Sequence, residues 1–320
     1  MITSIELCAG AGGLALGLEQ AGLDVTELVE IDKDCVATLK TNRPNWNIVH
    51  SDIAKISLLN RKVDVLTGGI PCQPFSFAGK GLGFKDNRGN IFFEFLRLLK
   101  ELQPKLFLIE NVKGLAHHNK GKTLQEMFYL LEAEGYNVQC KILNAVNYEV
   151  PQVRERLVIV GTVKSIEYSF PKTINRVVSV KEALIEVPLS EGITYSKEKA
   201  KIMSMIPEGG NWKSLPINIQ KEYMKDSFNS GGGKTGIARR LSWNKPSLTL
   251  LTSPAQKQTD RCHPSETRPL TIREYARIQT FPDIWKFEGS VSSQYKQIGN
   301  AVPVKLGYYL GISIIEAFNK

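Results

Sequence analysis

Three stretches of this 320-residue sequence place reactive side chains where they could do chemistry. The first ends in Cys72, within Val63-Asp64-Val65-Leu66-Thr67-Gly68-Gly69-Ile70-Pro71-Cys72-Gln73-Pro74. Its apolar, β-branched opening predicts a buried strand, and Pro71, which has no N–H to give a sheet, marks where that strand must stop. Cys72 is thereby expected at a strand's carboxyl end, where the ligand crevice of an open α/β sheet lies, and its thiol is a candidate nucleophile. Taken alone, it could equally be a small buried hydrophobe. The second stretch is Leu106-Phe107-Leu108-Ile109-Glu110, followed by Asn111-Val112. Desolvation at the tip of an apolar strand disfavours the charge on Glu110, which suits it to hold and deliver a proton near neutral pH. A capping or ion-paired glutamate would look the same. The third is Gln152-x-Arg154-x-Arg156, whose arginines, alternating along one strand, are expected on one side of it. There they could hold a carboxylate, a phosphate or a base edge, or form a solvated face.

The surrounding pattern indicates what must position these groups. Ser4 to Ala9 reads as a strand turning through Gly10-x-Gly12-x-x-Ala15 into a helix, the form of a nucleotide-cofactor loop in which missing side chains let backbone N–H groups approach a ligand. Glu30 closes the next apparent strand, Val25 to Val29, where a carboxylate can accept both ribose hydroxyls, and Asp52 follows the strand Asn47 to Ser51. Three surface acids at strand ends would give the same trio. Ile91 to Gln103 carries Phe92, Phe95, Leu96 and Leu99 at helical spacing, a core face. Thr123 to Glu134 is expected helical, and Val138 to Leu143 and Leu157 to Val160 extended. Between the Cys72 strand and that core helix, Phe75 to Asn90 contains Gly79, Gly81, Gly83 and Gly89 with Lys80, Lys85 and Arg88, a composition suited to a lid over phosphates.

The βα rhythm stops after about Lys172. From there to Arg268 the sequence is irregular and basic, with Gly209-Gly210, Gly231-Gly232-Gly233, Lys234, Arg239, Arg240, Lys245, Lys257 and Arg261. Rhythm returns in a helix from Thr271 to Gln279, with Thr271 as N-cap and Glu274 completing a capping box, and in an apolar helix from Val304 to Phe318. The expected organisation is an α/β catalytic and cofactor-binding domain at 1–175, a smaller basic domain at 176–270, and a segment at 271–320 returning to the first.

A hydrophobic content of 42% against 23% charged allows a full core without staples. The five cysteines are odd in number and widely spaced, which points to a reducing compartment and no structural metal. No basic leader precedes an apolar run at the N-terminus, and no stretch is expected to span a membrane, so a cytoplasmic protein is expected. The formal charge of +9 favours a polyanionic partner.

These motifs together resemble the DNA cytosine-5 methyltransferases of bacterial type II restriction-modification systems, nearly end to end and in order. Ala9-Gly10-Ala11-Gly12-Gly13 resembles the first motif, Pro71-Cys72-Gln73 the catalytic one, Glu110-Asn111-Val112 the glutamate motif and Gln152-x-Arg154-x-Arg156 the arginine pair. Arg268 to Gln279 resembles the ninth motif and Gly299-Asn300-Ala301-Val302-Pro303 the tenth. Two departures stand out. Glu6-Leu7-Cys8 replaces the usual Asp-Leu-Phe, so Cys8 cannot stack on the cofactor, and Ile31 rather than an aromatic follows Glu30.

The resemblance implies a Rossmann-like fold that uses S-adenosylmethionine, with a separate target-recognition domain reading double-stranded DNA. Cys72 would add to C6 of a flipped-out cytosine, Glu110 would meet the charge pushed toward N3, Arg156 would contact the base carbonyl, and Arg154 would help hold the site. C5 would then take the methyl group, giving 5-methylcytosine. Cofactor contacts are implied for Leu7, Ala9, Gly10, Gly12, Gly13, Glu30 and Ile31, and for Asp52, Ile53, Pro71 and Asn300. DNA contacts are expected for Ser76, Lys80, Arg88, Arg239 and Arg240, and for Thr249 in the Thr-Leu pair typical of the family's recognition domain. A monomer near the bacterial nucleoid is implied, with any cognate endonuclease acting separately. An RNA (tRNA) cytosine-5 methyltransferase is the nearest alternative. A nicotinamide-dependent dehydrogenase would explain the glycine loop and Glu30 but leave Cys72, Glu110 and the arginines without roles.

Overall fold

The computed structural model describes residues 1–70, 91–229, 235–256 and 260–320. Pro71, Cys72, Ser76, Lys80 and Arg88, with the expected lid at 75–90, lie outside the described residues, as do Gly231, Gly232, Gly233, Lys234 and Lys257. In chain order the strands are β1 (Thr3–Leu7), β2 (Asp24–Glu30), β3 (Asn47–His50), β4 (Val65–Gly69), β5 (Leu106–Val112), β6 (Asn137–Asn144), β7 (Gln152–Val153), β8 (Glu155–Thr162) and β9 (Ser247–Leu248). The helices are α1 (Gly13–Ala21), α2 (Lys33–Asn42), α3 (Ile91–Leu102), α4 (Lys122–Ala133), α5 (Val180–Ala183), α6 (Lys197–Ser204), α7 (Ile217–Met224), α8 (Ile272–Ile278), α9 (Val291–Asn300) and α10 (Val304–Phe318).

The chain forms two compact units. The first comprises Met1–Asn144, Glu155–Ile174 and Val302–Lys320. Its seven-stranded sheet runs β3-β2-β1-β4-β5-β8-β6. The first five strands in that order are parallel, and β8 is antiparallel to both β5 and β6. This is the expected Rossmann-like α/β arrangement. Register aligns the carboxyl ends, since Leu7 lies beside both Val29 and Gly68, and Gly69 beside Glu110. The loops after β1, β2, β4 and β5 therefore leave one edge of the sheet, as ligand sites of open α/β sheets require.

The central strands are apolar on both faces, as parallel strands covered on two sides must be. Val65 and Leu66 of β4, and Leu106, Phe107, Leu108 and Ile109 of β5, are wholly buried. Helix α3 turns Phe92, Phe95, Leu96 and Leu99 into the same core, as its spacing predicts, and Phe95 and Tyr136 meet the edge of Phe107. Each such side chain contributes about 1.5–3 kcal/mol by leaving water. Helices α1 and α10 approach so closely that a Cβ on Gly17 would come within 2.4 Å of the Val304 carbonyl oxygen.

A window within residues 291–318 has a mean hydropathy of 1.3, enough by length and composition to cross a membrane and contrary to the sequence expectation. The stretch is interrupted at Ala301–Pro303, and α10 turns Leu306, Leu310 and Ile314 into the protein interior. Its apolarity is that of a core helix.

The second unit comprises Ala145–Arg154 and Asn175–Ala301. The return to the first unit comes at Val302 rather than at 271, and residues 145–154, expected in the catalytic domain, belong to the second unit. Among the described residues its ladder is a two-residue parallel pair, β7 with β9, beside isolated bridges of Cys262 with Arg240 and Pro269. A small core of Met203, Ile206, Trp212, Leu215, Met224, Ile237 and Cys262 supports short helices, among them α6 and α7. The predicted capping box is present in α8, where Thr271 and Glu274 satisfy each other's backbone N–H groups.

Candidate active site

The sheet edge of the first unit carries an ion pair. Glu110, on the last turn of pleat in β5, accepts the Nε–H of Arg156, at the start of β8, on Oε1 at 2.8 Å, and both side chains are about nine-tenths buried. The antiparallel register brings them together, with Val112 opposite Arg156 and Glu110 opposite Val158. Burial is thus only part of the environment of Glu110, because a guanidinium faces it. Arg156 also donates from Nη1 to the carbonyl of Glu155 at 2.8 Å, which fixes the plane of its fork. Next to the pair, the buried Asn111 donates from Nδ2 to the Ile70 carbonyl at 2.7 Å and accepts the Val112 N–H on Oδ1. That bond anchors the chain where β4 ends, the residue before Pro71 and Cys72.

At the end of β1 the backbone winds through left-handed conformations at Cys8, Gly10 and Gly12, with φ of 55°, 55° and 83°. A Cβ on Gly10 would meet none of the described residues within 4 Å. A ligand can therefore approach the main chain, while Leu7, Ala9 and Ile53 are buried and could offer a ligand little beyond backbone. Glu30 fastens this loop: Oε2 accepts the Gly10 N–H at 2.7 Å, and Oε1 accepts those of Ile31 and Asp32 at 2.9 and 2.8 Å. A carboxylate has about four lone-pair positions, so roughly one remains, against the two that both ribose hydroxyls would need. Beside it Ile31 is 63% exposed, an apolar surface at the rim of the loop. Asp52 caps the following turn by accepting the Ala54 N–H at 3.0 Å.

Glu6 lies beneath the loop. Burial first, then the charges of Glu30 and Glu110, push its carboxyl well above the usual range, and it accepts a hydrogen bond from the Ala15 N–H in the first turn of α1. Burial first, then the charges of Glu30, Glu6 and Asp52, raise the Cys8 thiol to about 12. Burial also raises Cys140 and Cys262. None of these three thiols is poised to ionise near neutrality.

In the second unit the arginines behave differently from the sequence expectation. Arg154 is not on a common strand face with Arg156: it falls between β7 and β8, is 1% exposed, and donates to the carbonyls of Leu250, Gly299 and Ala301 at 2.8–3.1 Å. Its role is to hold backbone. Gln152, wholly buried, accepts the Leu250 N–H and donates to Gln279. Arg240, expected at DNA phosphates, is 4% exposed, with its guanidinium on the carbonyls of Met203, Ile206, His263 and Glu266 and on the Thr267 hydroxyl. It has no surface to present to DNA. Arg239 is half-buried and donates to the Gly209 carbonyl at 3.0 Å. Thr249 is partly exposed, its hydroxyl donating to the Val153 carbonyl at 2.8 Å, and Asn300 is exposed at the end of α9. Arg261 and Tyr275 were not singled out as site residues by sequence, because the partners of their side chains are carbonyls that any residue carries.

Comparison with known proteins identifies the family. The family model for C-5 cytosine-specific DNA methylase matches residues 2–316. The chain is 54% identical over 332 aligned residues to the Type II methyltransferase M.Eco47II of Escherichia coli, covering 99% of this chain and 80% of that protein. It is 56% identical to M.PspPI of Psychrobacter sp. (strain TA137), covering 98% and 79%. Among solved structures, a protein described as a DNA modification methyltransferase encoded within an E. coli prophage superposes with a TM-score of 0.73 at 28% identity, over 100% of both chains. The S. pombe Dnmt2 methyltransferase shares the fold, with a TM-score of 0.67 at 20% identity, again over 100% of both chains.

Proposed function

Because the chain belongs to the C-5 cytosine-specific DNA methylase family, we propose that it transfers a methyl group from S-adenosylmethionine to C5 of a cytosine within a specific duplex DNA sequence. The protective half of a type II restriction-modification system, acting in the cytoplasm where the DNA is, fits this reading and the names of its relatives. The observation that supports it most is the 2.8 Å contact between Glu110 and Arg156 at the sheet edge, next to the anchored end of β4. It sets an acid–base group and a fixed donor where the chain leads into Cys72.

The left-handed glycine loop, its approachable backbone at Gly10 and the exposed Ile31 fit an S-adenosylmethionine site, with Glu30 offering a ribose contact. Bound there, the cofactor supplies an electrophilic methyl group. Cytosine C5 is too electron-poor to take that group unaided, so Cys72 thiolate adds to C6, forming an S–C6 bond and pushing an electron pair toward N3. Glu110 meets the developing charge at N3 with a hydrogen bond or proton, and Arg156 donates to the base carbonyl oxygen. Once C5 has been methylated, loss of its proton to water returns the electron pair to the ring and breaks the S–C6 bond. A thiol cannot reach C6 inside a stacked duplex, so the target base is flipped out. Thr249, in the second unit, contributes to reading the flanking DNA.

The test uses duplex DNA synthesised with 5-fluorocytosine in place of cytosine. Addition and methyl transfer proceed, but fluorine cannot leave as a cation, so a covalent protein–DNA adduct is expected that survives denaturing electrophoresis and maps to Cys72. An adduct at Cys8, Cys35, Cys140 or Cys262, or methylation of exocyclic N4 without an adduct, would overturn the mechanism.

A further inference from the structure

Beyond the two-residue ladder of β7 and β9, the chain continues through Thr249, Leu250 and Leu251 with no strand among the described residues paired to it. Backbone carbonyls must nonetheless be satisfied where they are buried. Here each of three consecutive carbonyls is taken by a different side chain. The Thr249 oxygen accepts two bonds from Arg261, from Nε at 3.1 Å and Nη2 at 2.7 Å. The Leu250 oxygen accepts from Arg154 at 2.9 Å, and the Leu251 oxygen from the Tyr275 hydroxyl at 2.9 Å. The Leu250 N–H goes to Gln152 at 2.8 Å. Arg261 is only 5% exposed, and it also donates from Nη1 to the carbonyl of Asp260.

Burying a guanidinium to bind carbonyls is a poor way to gain stability, since desolvation of the cation offsets much of the attraction, and burial indeed lowers the pKa of Arg261. What such a bidentate, charge-assisted contact gains is geometry. With all three carbonyls fixed, the backbone torsions of this segment are fixed too, and so is the direction in which the exposed parts of Thr249 and Leu251 point. Discrimination between base pairs depends on placements held to a fraction of an ångström, which a segment lacking ladder bonds could not keep by itself.

We propose that Arg261, assisted by Tyr275, is a specificity-determining positioning residue that locks Thr249–Leu251 in the orientation that reads DNA. The inference rests on the methyltransferase function proposed above. Arg261 acts through Thr249 and touches no substrate.

The experiment incubates wild type, Arg261→Met, Arg261→Lys and Tyr275→Phe with S-adenosylmethionine and a plasmid of known sequence, and follows every cytosine by bisulfite sequencing over time. Wild type defines the recognised sites. The quantity compared is the methylation rate at sites differing from these by one base, divided by the rate at the recognised sites. A loss of folded enzyme lowers both rates in proportion and leaves the ratio unmoved, so the ratio separates positioning from stability. Arg261→Met is expected to raise it about tenfold or more, the scale of a lost charge-assisted hydrogen bond. Arg261→Lys, which keeps the charge and one donor centre, is expected to lie between Arg261→Met and wild type. Tyr275→Phe, which removes a single hydroxyl and is the deciding variant should Arg261→Met fail to fold, is expected to raise the ratio by a smaller factor. A ratio that is unchanged or lower in the variants that fold overturns the proposal. A wild type that protects no cytosine overturns the methyltransferase function itself, and the inference with it.

Discussion

The two units are held together by different means. In the first, five parallel strands satisfy one another's backbones, and residues such as Leu66, Phe107 and Ile109 supply an apolar interior. Its charged groups at the sheet edge, Glu110 and Arg156, pair with each other. Among its described residues the second unit has almost no ladder, and buried arginines take its place: Arg154, Arg240 and Arg261 are each at most 5% exposed and donate chiefly to main-chain carbonyls. The same residue type thus serves a carboxylate at a reactive edge in one unit and replaces a β-ladder in the other. Net positive charge in a sequence is accordingly no guide to where a polyanion binds until the internal carbonyls have taken their share.

The contrast predicts opposite consequences of removing a charge. Glu110→Gln keeps an oxygen for Arg156, so the fold should persist, while the single-turnover methylation rate on saturating DNA falls by roughly 10² to 10⁴. An unchanged rate would remove Glu110 from the chemistry. Arg240→Met should do the reverse. It takes the guanidinium donor away from the carbonyls of Met203, Ile206, His263 and Glu266, and we expect a loss of about 3–5 kcal/mol in urea denaturation followed by tryptophan fluorescence. Wild-type stability combined with weaker, less salt-dependent DNA binding would return Arg240 to the DNA surface and break the comparison.

What could be read in advance follows the same division. Strands β1, β2, β4 and β5, the core face of α3 and the capping box of α8 were legible because apolar periodicity and cap chemistry leave local signatures. The Glu110–Arg156 contact was only half legible, since each residue stood out but nothing in the spacing revealed an antiparallel β8 that would pair them. The separate tasks of Arg154 and Arg156 were hidden, because a strand break between them cannot be seen in Gln-x-Arg-x-Arg. Arg240 and Arg261 were read as surface charge for a physical reason: a carbonyl acceptor has no side-chain identity, so the partner of a buried arginine leaves no mark in the sequence.

A smaller effect probes the packing of the first unit. Gly17→Ala would place a methyl group 2.4 Å from the Val304 oxygen and 2.6 Å from the Gly307 carbonyl carbon, both backbone atoms of α10 or its entry. The helices must separate, and about 1–3 kcal/mol should be lost in thermal or urea unfolding. A neutral result would mean that the α1–α10 contact is looser than the close-packed core to which it belongs.

The smallest effect, and the one whose sign is most informative, concerns Glu6. Burial, with Glu30 and Glu110 nearby, raises its folded-state pKa well above the ordinary 4.5, so the native state keeps a proton that the unfolded chain releases. Below pH about 4.5 both states are protonated and Glu6 has no pH-dependent influence. As pH rises above that value the unfolded state ionises while the folded state does not, and stability declines until the folded pKa is passed. Glu6→Gln removes this titration while keeping an oxygen for the Ala15 N–H and a similar volume. The variant should therefore gain on wild type as pH increases, with melting temperatures closest near pH 4.5 and the difference in its favour widening as pH rises above that value. The gain should amount to about 1 kcal/mol, because the replacement amide brings its own buried donor. A difference that is constant across this range, or that narrows with pH, would show that the carboxyl beneath the glycine loop is already ionised in the folded protein. The loop's charge balance, with Glu30 and Glu110 close by, would then have to be compensated by a cation outside the sheet edge.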